Sequence, residues 1–153
     1  MTYATARAKV VSLLEGATPT VSYGGAGAKF KEVPDVDEEH PPAGARAFAL
    51  FGLGDFVRTP LLARGERHRV ARLELRVYYR ALANRQQLDL MLRADHKVIS
   101  DRLIDPRLWD SSTSGICSVE QQGGSLIMQA DVERRGELVV HVYRFDLEYL
   151  SGA

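Results

Sequence analysis

Four histidines, His40, His68, His96 and His141, are the side chains best suited to acid–base or metal chemistry near neutral pH. None has a second His or Cys at ligand spacing, and no HExxH-type pattern occurs. The pair Asp95-His96 looks like an acid–base couple, yet adjacent positions on a helix point about 100° apart. The carboxylate therefore cannot orient the imidazole as a catalytic triad requires. His141 falls on the apolar face of an alternating segment, where a hydrogen-bonded core histidine is the ordinary outcome. These residues assign no catalytic group and no metal site.

Four other stretches carry functional residue types. The acidic cluster Asp35, Asp37, Glu38 and Glu39 offers oxygens to a cation, but lacks the spacing and central glycine of a calcium loop, so it reads as a solvated face. Tyr23 to Lys29 (YGGAGAK) is glycine-rich like a phosphate-cradling loop, without the GxxxxGK[ST] pattern or a convincing preceding strand. Residues 111–115, SSTSG, hold serines but no GxSxG elbow. From Arg58 to Arg72, Arg58, Arg64 and Arg67 interleave with Leu61 and Leu62. Arginine beside apolar side chains is the composition of an interface centre, which makes this the best candidate contact surface. The alternative there is a plain solvated loop.

The chain has 153 residues, 20 Lys+Arg against 20 Asp+Glu, and a single cysteine, Cys117. Zero formal charge argues against a dedicated nucleic-acid binder. It also leaves little self-repulsion to hold copies apart. One cysteine excludes an internal disulfide and a cysteine-based zinc site, and a buried, inert thiol is expected. The first residues, MTYATARAKVVSLLEG, lack the apolar core of a signal peptide. Nothing approaches the roughly 20 apolar residues of a membrane helix. A protein made in the cytosol, with no membrane partner and no cofactor, is the expectation.

One stretch organises the elements. In His68–Arg80, Ala71, Leu73, Leu75, Val77 and Tyr79 alternate with Arg72, Glu74, Arg76, Tyr78 and Arg80. That period of two predicts a strand with one face on a core and the other in water. After a short break Leu88, Met91, Leu92, Ile99 and Leu103 recur at helical steps. Asn84 with Gln87 resembles a capping box, and Pro106 ends the helix. Residues 2–15 predict a first, surface helix with Gly16 at its end. Ala45–Phe51 predicts a short buried strand, broken by Gly52-Leu53-Gly54-Asp55. Long loops are expected at about 17–44 and 52–67, relieved by a possible strand at Ala28–Val33. Strands over Ile116–Gln121, Ser125–Glu133 and Glu137–Leu150, with Gly-bearing turns, predict a closing antiparallel meander. The sum is a single domain over 1–153, α+β, with a mainly antiparallel sheet and two helices packed on it. Two of its strands, at about 13 residues, are more than twice the usual length.

The ordered features resemble one known family. A first helix reading A-x-x-x-V-x-x-L, a Pro/Gly-rich loop, RLELRVYYR leading into a long helix with Asp95, Ile99 and Leu103, and the closing GSLIMQADVERRGELVVHVYRFDLEYL are similar to the tail terminator proteins of tailed bacteriophages. The similarity spans nearly the whole chain and rests on element order and loose pattern. It implies a non-enzymatic virion protein, made in the host cytoplasm, that assembles as a hexameric ring at the head-proximal end of the tail. Such a ring stops growth of the tail tube protein and joins it to head-completion or neck proteins. DNA only passes through its channel. On that resemblance Asp35, Asp37, Glu38 and Glu39 would face the channel, and Arg58, Leu61, Leu62, Arg64 and Arg67 a neighbouring subunit. Another head–tail connector or minor tail protein is the nearest alternative. A small α+β enzyme or ligand-binding domain is the alternative of another class. That last reading needs polar groups converging on the apolar sheet face, where the sequence offers His141.

Overall fold

The computed structural model describes residues 2–23, 29–33, 46–59, 67–80, 84–109, 117–120, 129–135 and 138–151. Their order is α1 (Tyr3–Glu15), β1 (Lys31–Glu32), β2 (Ala47–Thr59), β3 (Arg67–Arg80), α2 (Arg85–Ile104), a 3-10 turn (Pro106–Leu108), β4 (Cys117–Glu120), β5 (Gln129–Arg135) and β6 (Leu138–Ser151). The fold is α+β, with β1 parallel to β2 and every other ladder antiparallel.

The sheet runs β1-β2-β3-β6, and the far edge of β6 is shared end to end by β5 and β4. β5 pairs with Leu138–Arg144 and β4 with Asp146–Tyr149. The β5–β6 hairpin matches the sequence pattern, but the three last strands are not a meander, because β4 pairs with β6 in place of β5. At 14 residues β6 is long enough to carry both.

At the centre β3 and β6 pair without a slip from Arg67↔Ser151 to Arg80↔Leu138. Fourteen extended residues span about 48 Å. The 20-residue α2 spans only about 30 Å. The sheet therefore outruns its longest helix by several residues. Both helices lie on one face, over Leu73, Leu75, Val77, Tyr79, Val139, Tyr143, Phe145 and Leu147. α1 contributes Ala6, Val10, Leu13 and Leu14, and α2 contributes Leu88, Met91, Leu92, Ile99 and Leu103. Asn84 caps α2 as expected, its side chain accepting from the amides of Gln86 and Gln87 at 3.0 and 3.2 Å.

α1 does end at Gly16, but the residue is right-handed there (φ −80°). Its lack of a side chain serves a close approach: a Cβ would lie 2.5 Å from the Arg102 guanidinium. Arg102 Nε donates to the Leu13 carbonyl at 2.5 Å, tying α2 across the end of α1. Trp109 closes the other side of α2, its indole donating to the Leu103 carbonyl at 2.6 Å.

Two expectations need correction. Gly52-Leu53-Gly54-Asp55 does not break the strand, and 52–59 is not loop. β2 continues through it to Thr59, with register shifts at Gly52/Gly54 and Val57/Thr59. Gly54, at φ +132°, absorbs the irregularity in a conformation only glycine adopts freely. The far side of β3 is also not simply wet. Tyr78 is 4% exposed and packs with Ala49, Val140 and Val142, while Glu74 is 6% exposed between Arg76 and Arg144. In the first long loop, 17–44, only the two-residue β1 is regular among the described residues.

Leu73 is fully buried between sheet and helices, whereas Leu53 is half exposed on the irregular part of β2. Leu73→Ala should cost about 2–5 kcal/mol of stability in urea unfolding. Leu53→Ala should stay within about 0.5 kcal/mol. A large loss at Leu53 would mean that the projecting part of β2 is covered.

Candidate functional site

Two elements, a turn and a loop deliver polar side chains to a single buried point. The apolar stripe of α2 has a gap between Leu92 and Ile99, and Asp95 fills it, facing inward at 0% exposure. Tyr79, the last residue but one of β3, lies beneath it. Arg46 enters from the residue before β2, also at 0% exposure. Its Nε and Nη2 donate to the two Asp95 carboxylate oxygens at 2.8 and 3.1 Å, a two-pronged pair. The Tyr79 hydroxyl donates to Asp95 Oδ2 at 2.7 Å. Arg46 Nη1 donates to Ser22 Oγ at 2.8 Å, and Nη2 also donates to the Val21 carbonyl. The Phe30 ring lies 5.9 Å from the guanidinium carbon.

Arg46 reaches this point through a strained backbone. Its φ is +66°, a left-handed conformation that costs a non-glycine residue roughly 1–2 kcal/mol. Two strands hold it there. Its amide donates to the Tyr78 carbonyl at 2.9 Å, and its carbonyl accepts from Lys31 at 3.2 Å. The side chain is thus aimed by both sheet neighbours of β2.

Next to this pair lies an aromatic cluster. The Tyr143 hydroxyl and His141 Nδ1 are 2.9 Å apart, and the half-buried His96 ring packs 5.5 Å from Tyr143 and 5.9 Å from His141. His141 is the hydrogen-bonded core histidine expected from its strand position. Burial pushes the His96 imidazole below its ordinary value of 6.5. Burial, and then the Asp95 charge, hold the Tyr79 and Tyr143 hydroxyls well above the ordinary 10.0.

Chemically the site is saturated. Both Asp95 oxygens are taken by Arg46 and Tyr79, and Asp95 does not pair with His96. A carboxylate so occupied cannot serve as a general base without breaking a buried ion pair, which costs about 3–5 kcal/mol. Among the described residues, no three His, Cys, Asp or Glu side chains converge as metal ligands do. No described helix is long and apolar enough to cross a membrane.

Sequence reasoning found His141 but missed Arg46, Asp95, Tyr79 and Tyr143 as one constellation. The signal was present: Asp95 occupies a core step of the helical stripe, and Arg46 interrupts the apolar run Ala45–Phe51. Of the expected interface residues, Arg58 lies near the end of β2 and Arg67 begins β3, on either side of the connection between the two strands. Leu61, Leu62 and Arg64 lie outside the described residues, as do Asp35, Asp37, Glu38, Glu39 and His40. Lys29, from the glycine-rich stretch, donates to Thr18 Oγ1 at 3.1 Å. Cys117 stands in β4 opposite Tyr149.

Removing one partner of the pair should hurt more than removing both. Asp95→Ala should cost about 3–5 kcal/mol, leaving Arg46 buried and uncompensated, while Arg46→Met with Asp95→Leu should lose clearly less than the sum of the single changes. Urea unfolding of all three variants checks this.

The pH dependence follows from the shifted groups. A tyrosine whose folded value is raised contributes stability that is intact below its ordinary 10.0 and lost as pH climbs above it. A histidine whose folded value is lowered contributes stability that is intact above 6.5 and lost as pH falls below it. Thermal melts should therefore fall on both sides. Tyr143→Phe should flatten the alkaline limb and His96→Gln the acid limb.

Comparison with protein-family models finds no match to the chain, and comparison with curated proteins finds none either.

Proposed function

We propose that the protein is a structural virion component of the tail terminator kind, a ring at the head-proximal end of a phage tail. The observation that carries this reading is the length of β3 and β6, 14 residues each. A small core has no use for 14-residue strands, whereas a subunit that reaches into its neighbours does. Rings close through heterologous contacts, so each subunit needs two unlike surfaces. Two unlike surfaces are at hand, the connection between β2 and β3 and the far edge of β6 that carries β4 and β5. Exposed Phe51 and Leu53 on β2 add apolar area where a partner would lie.

In this reading the β2–β3 hairpin is the reaching arm. Arg58 and Arg67 stand at its far end, and Leu61, Leu62 and Arg64 belong to the connection between them. Asp35, Asp37, Glu38 and Glu39 line the channel, where like charge keeps passing DNA mobile. The partners are copies of this chain, the tail tube protein, and head-completion or neck proteins. Another connector or minor tail role uses the same features.

A second reading, a small ligand-binding or enzymatic domain, gains one observation. Arg46, Tyr79, Asp95, His96, His141 and Tyr143 converge beneath α2, where the sequence alone offered His141. Their mutual saturation favours a structural lock. A small molecule retained through purification and seen by native mass spectrometry would favour the ligand-binding reading.

Mass photometry and negative-stain imaging test the ring, with the chain alone and mixed with its tail tube protein. Six-membered rings, or caps at tube ends, are expected. The double change Arg58→Glu and Arg64→Glu should abolish them while leaving the far-ultraviolet circular dichroism unchanged. A strict monomer that ignores the tube overturns the ring. Rings that survive the double change overturn the interface.

A further inference from the structure

Where the helix layer ends, the helix-side face of the sheet holds a recess of about 250 Å³, lined by Tyr3, Gly52, Gly54, Asp55, Ala71 and Arg72. Register decides which of these supply side chains. Gly52 lies opposite Leu73 and Asp55 opposite Ala71, so both belong to the helix-side face. Arg72 belongs to the other face, where its Nε is 3.7 Å from Asp146 Oδ1. Its guanidinium is held toward Asp146. The recess therefore has an aromatic wall and hydroxyl from Tyr3, a carboxylate from Asp55, and a floor of glycine and alanine.

Three features make this a built site. First, the floor is cleared for depth: a Cβ on Gly52 would come within 3.3 Å of the Tyr3 hydroxyl. Second, Asp55 is exposed and makes no hydrogen bond or ion pair among the described residues, while Arg69, the cation nearest on the same face by register, has a partner of its own. Third, the recess borders a strand edge that carries no further strand among the described residues. β1 pairs with β2 only at Ala47 and Phe48, and Arg7 caps the Leu50 carbonyl at 3.2 Å. Beyond that point no described strand lies on the outer edge of β2. Two irregularities interrupt this edge and leave Gly54–Val57 as a regular stretch, with Asp55 inside it. Such irregularities discourage indiscriminate strand pairing, so a segment that docks here needs a side-chain anchor.

We propose that the β2 edge and this recess form a docking site for an extended segment of another protein, anchored by one arginine or lysine. The segment adds main-chain hydrogen bonds along Gly54–Val57, the mode of β-augmentation. Its cationic head sits between the Asp55 carboxylate and the face of Tyr3, which supply an ion pair and a cation–π contact. Charge complementarity selects the occupant: an acidic side chain would meet Asp55 with like charge.

The test uses the full chain and a fluorescent nonapeptide of alternating threonine and valine with a central arginine, followed by anisotropy at low salt. Controls carry glutamate at the centre, or N-methyl groups on alternate amides. The arginine peptide should bind at least about tenfold more tightly than the glutamate peptide, a ratio within reach of one charged hydrogen-bonded contact. Asp55→Asn should erase that preference, Tyr3→Leu should reduce it, and N-methylation should abolish binding. Both substitutions lie at exposed positions, and thermal melts should be unchanged. Equal binding of the two peptides, binding of neither, or an intact preference in Asp55→Asn overturns the proposal. Self-association of the chain that Asp55→Asn abolishes, read by sedimentation velocity, gives the recess to a second copy and overturns it as well.

Discussion

The buried contact between Arg46 and Asp95 is the constraint on which the rest of the structure depends. It joins the middle of α2 to the first residue of β2's approach, with Tyr79 of β3 as the third member. Apolar packing alone would let a helix slide or rotate over a sheet of valines and leucines at small cost. A two-pronged ion pair at 0% exposure does not permit this, because any displacement leaves a charge unsatisfied in a dry interior. Such pairs add little net stability over hydrophobic replacements. Their contribution here is register: α2 sits where Asp95 meets Arg46. The left-handed backbone at Arg46 fits this role, since a conformational cost persists only where the surroundings overdetermine it.

With the helix registered at one end, the other end of the sheet is left to other work. α2 is fixed over the Tyr79–His141 end of the β3–β6 pair, and α1 reaches only as far as Tyr3 over Gly52. β2 runs on exposed from Phe51 to Asp55, while α2 continues as far as β4, beside Asp146–Tyr149 of β6. On the opposite face, Glu74 between Arg76 and Arg144, and Arg72 beside Asp146, form a ladder of ion pairs across β3 and β6. The division is between a locked centre that defines the fold and the exposed part of β2 that carries the edge and the recess.

The fold class was legible in the sequence because periodicity reports burial directly. A period of two in 71–79 and a helical period in 88–103 are consequences of one-sided packing, and both elements lie where they were expected. What failed to read were features set by tertiary context. Gly52 and Gly54 look like a stop signal, but in a strand held along its whole length by β3 a glycine only bends the chain. The pairing of β4 with β6 depends on which edge is free, which no local pattern encodes. The site failed for a different reason. Beside His96, Asp95 looks like half of an acid–base pair, but its position in the apolar stripe marks it as buried and in need of a cation. The cation, Arg46, lies 49 residues away in the chain. A charge inside an apolar period is itself the signal, and its partner is found only by folding.

That lesson bears on the choice between a lock and an active site. Catalytic carboxylates keep an oxygen or a proton in reserve, held off balance by their surroundings, and the reserve is what reacts. At Asp95 no reserve remains: guanidinium and phenol take both oxygens, and the raised Tyr79 value keeps the phenol a donor at every pH near neutrality. At Asp55 the opposite holds, with a carboxylate left without a described partner beside a strand edge that carries no further strand among the described residues. Buried saturation and exposed vacancy are the two ends of one electrostatic criterion. By it, the interior constellation is architecture, and the surface recess is where this molecule is equipped to meet something else.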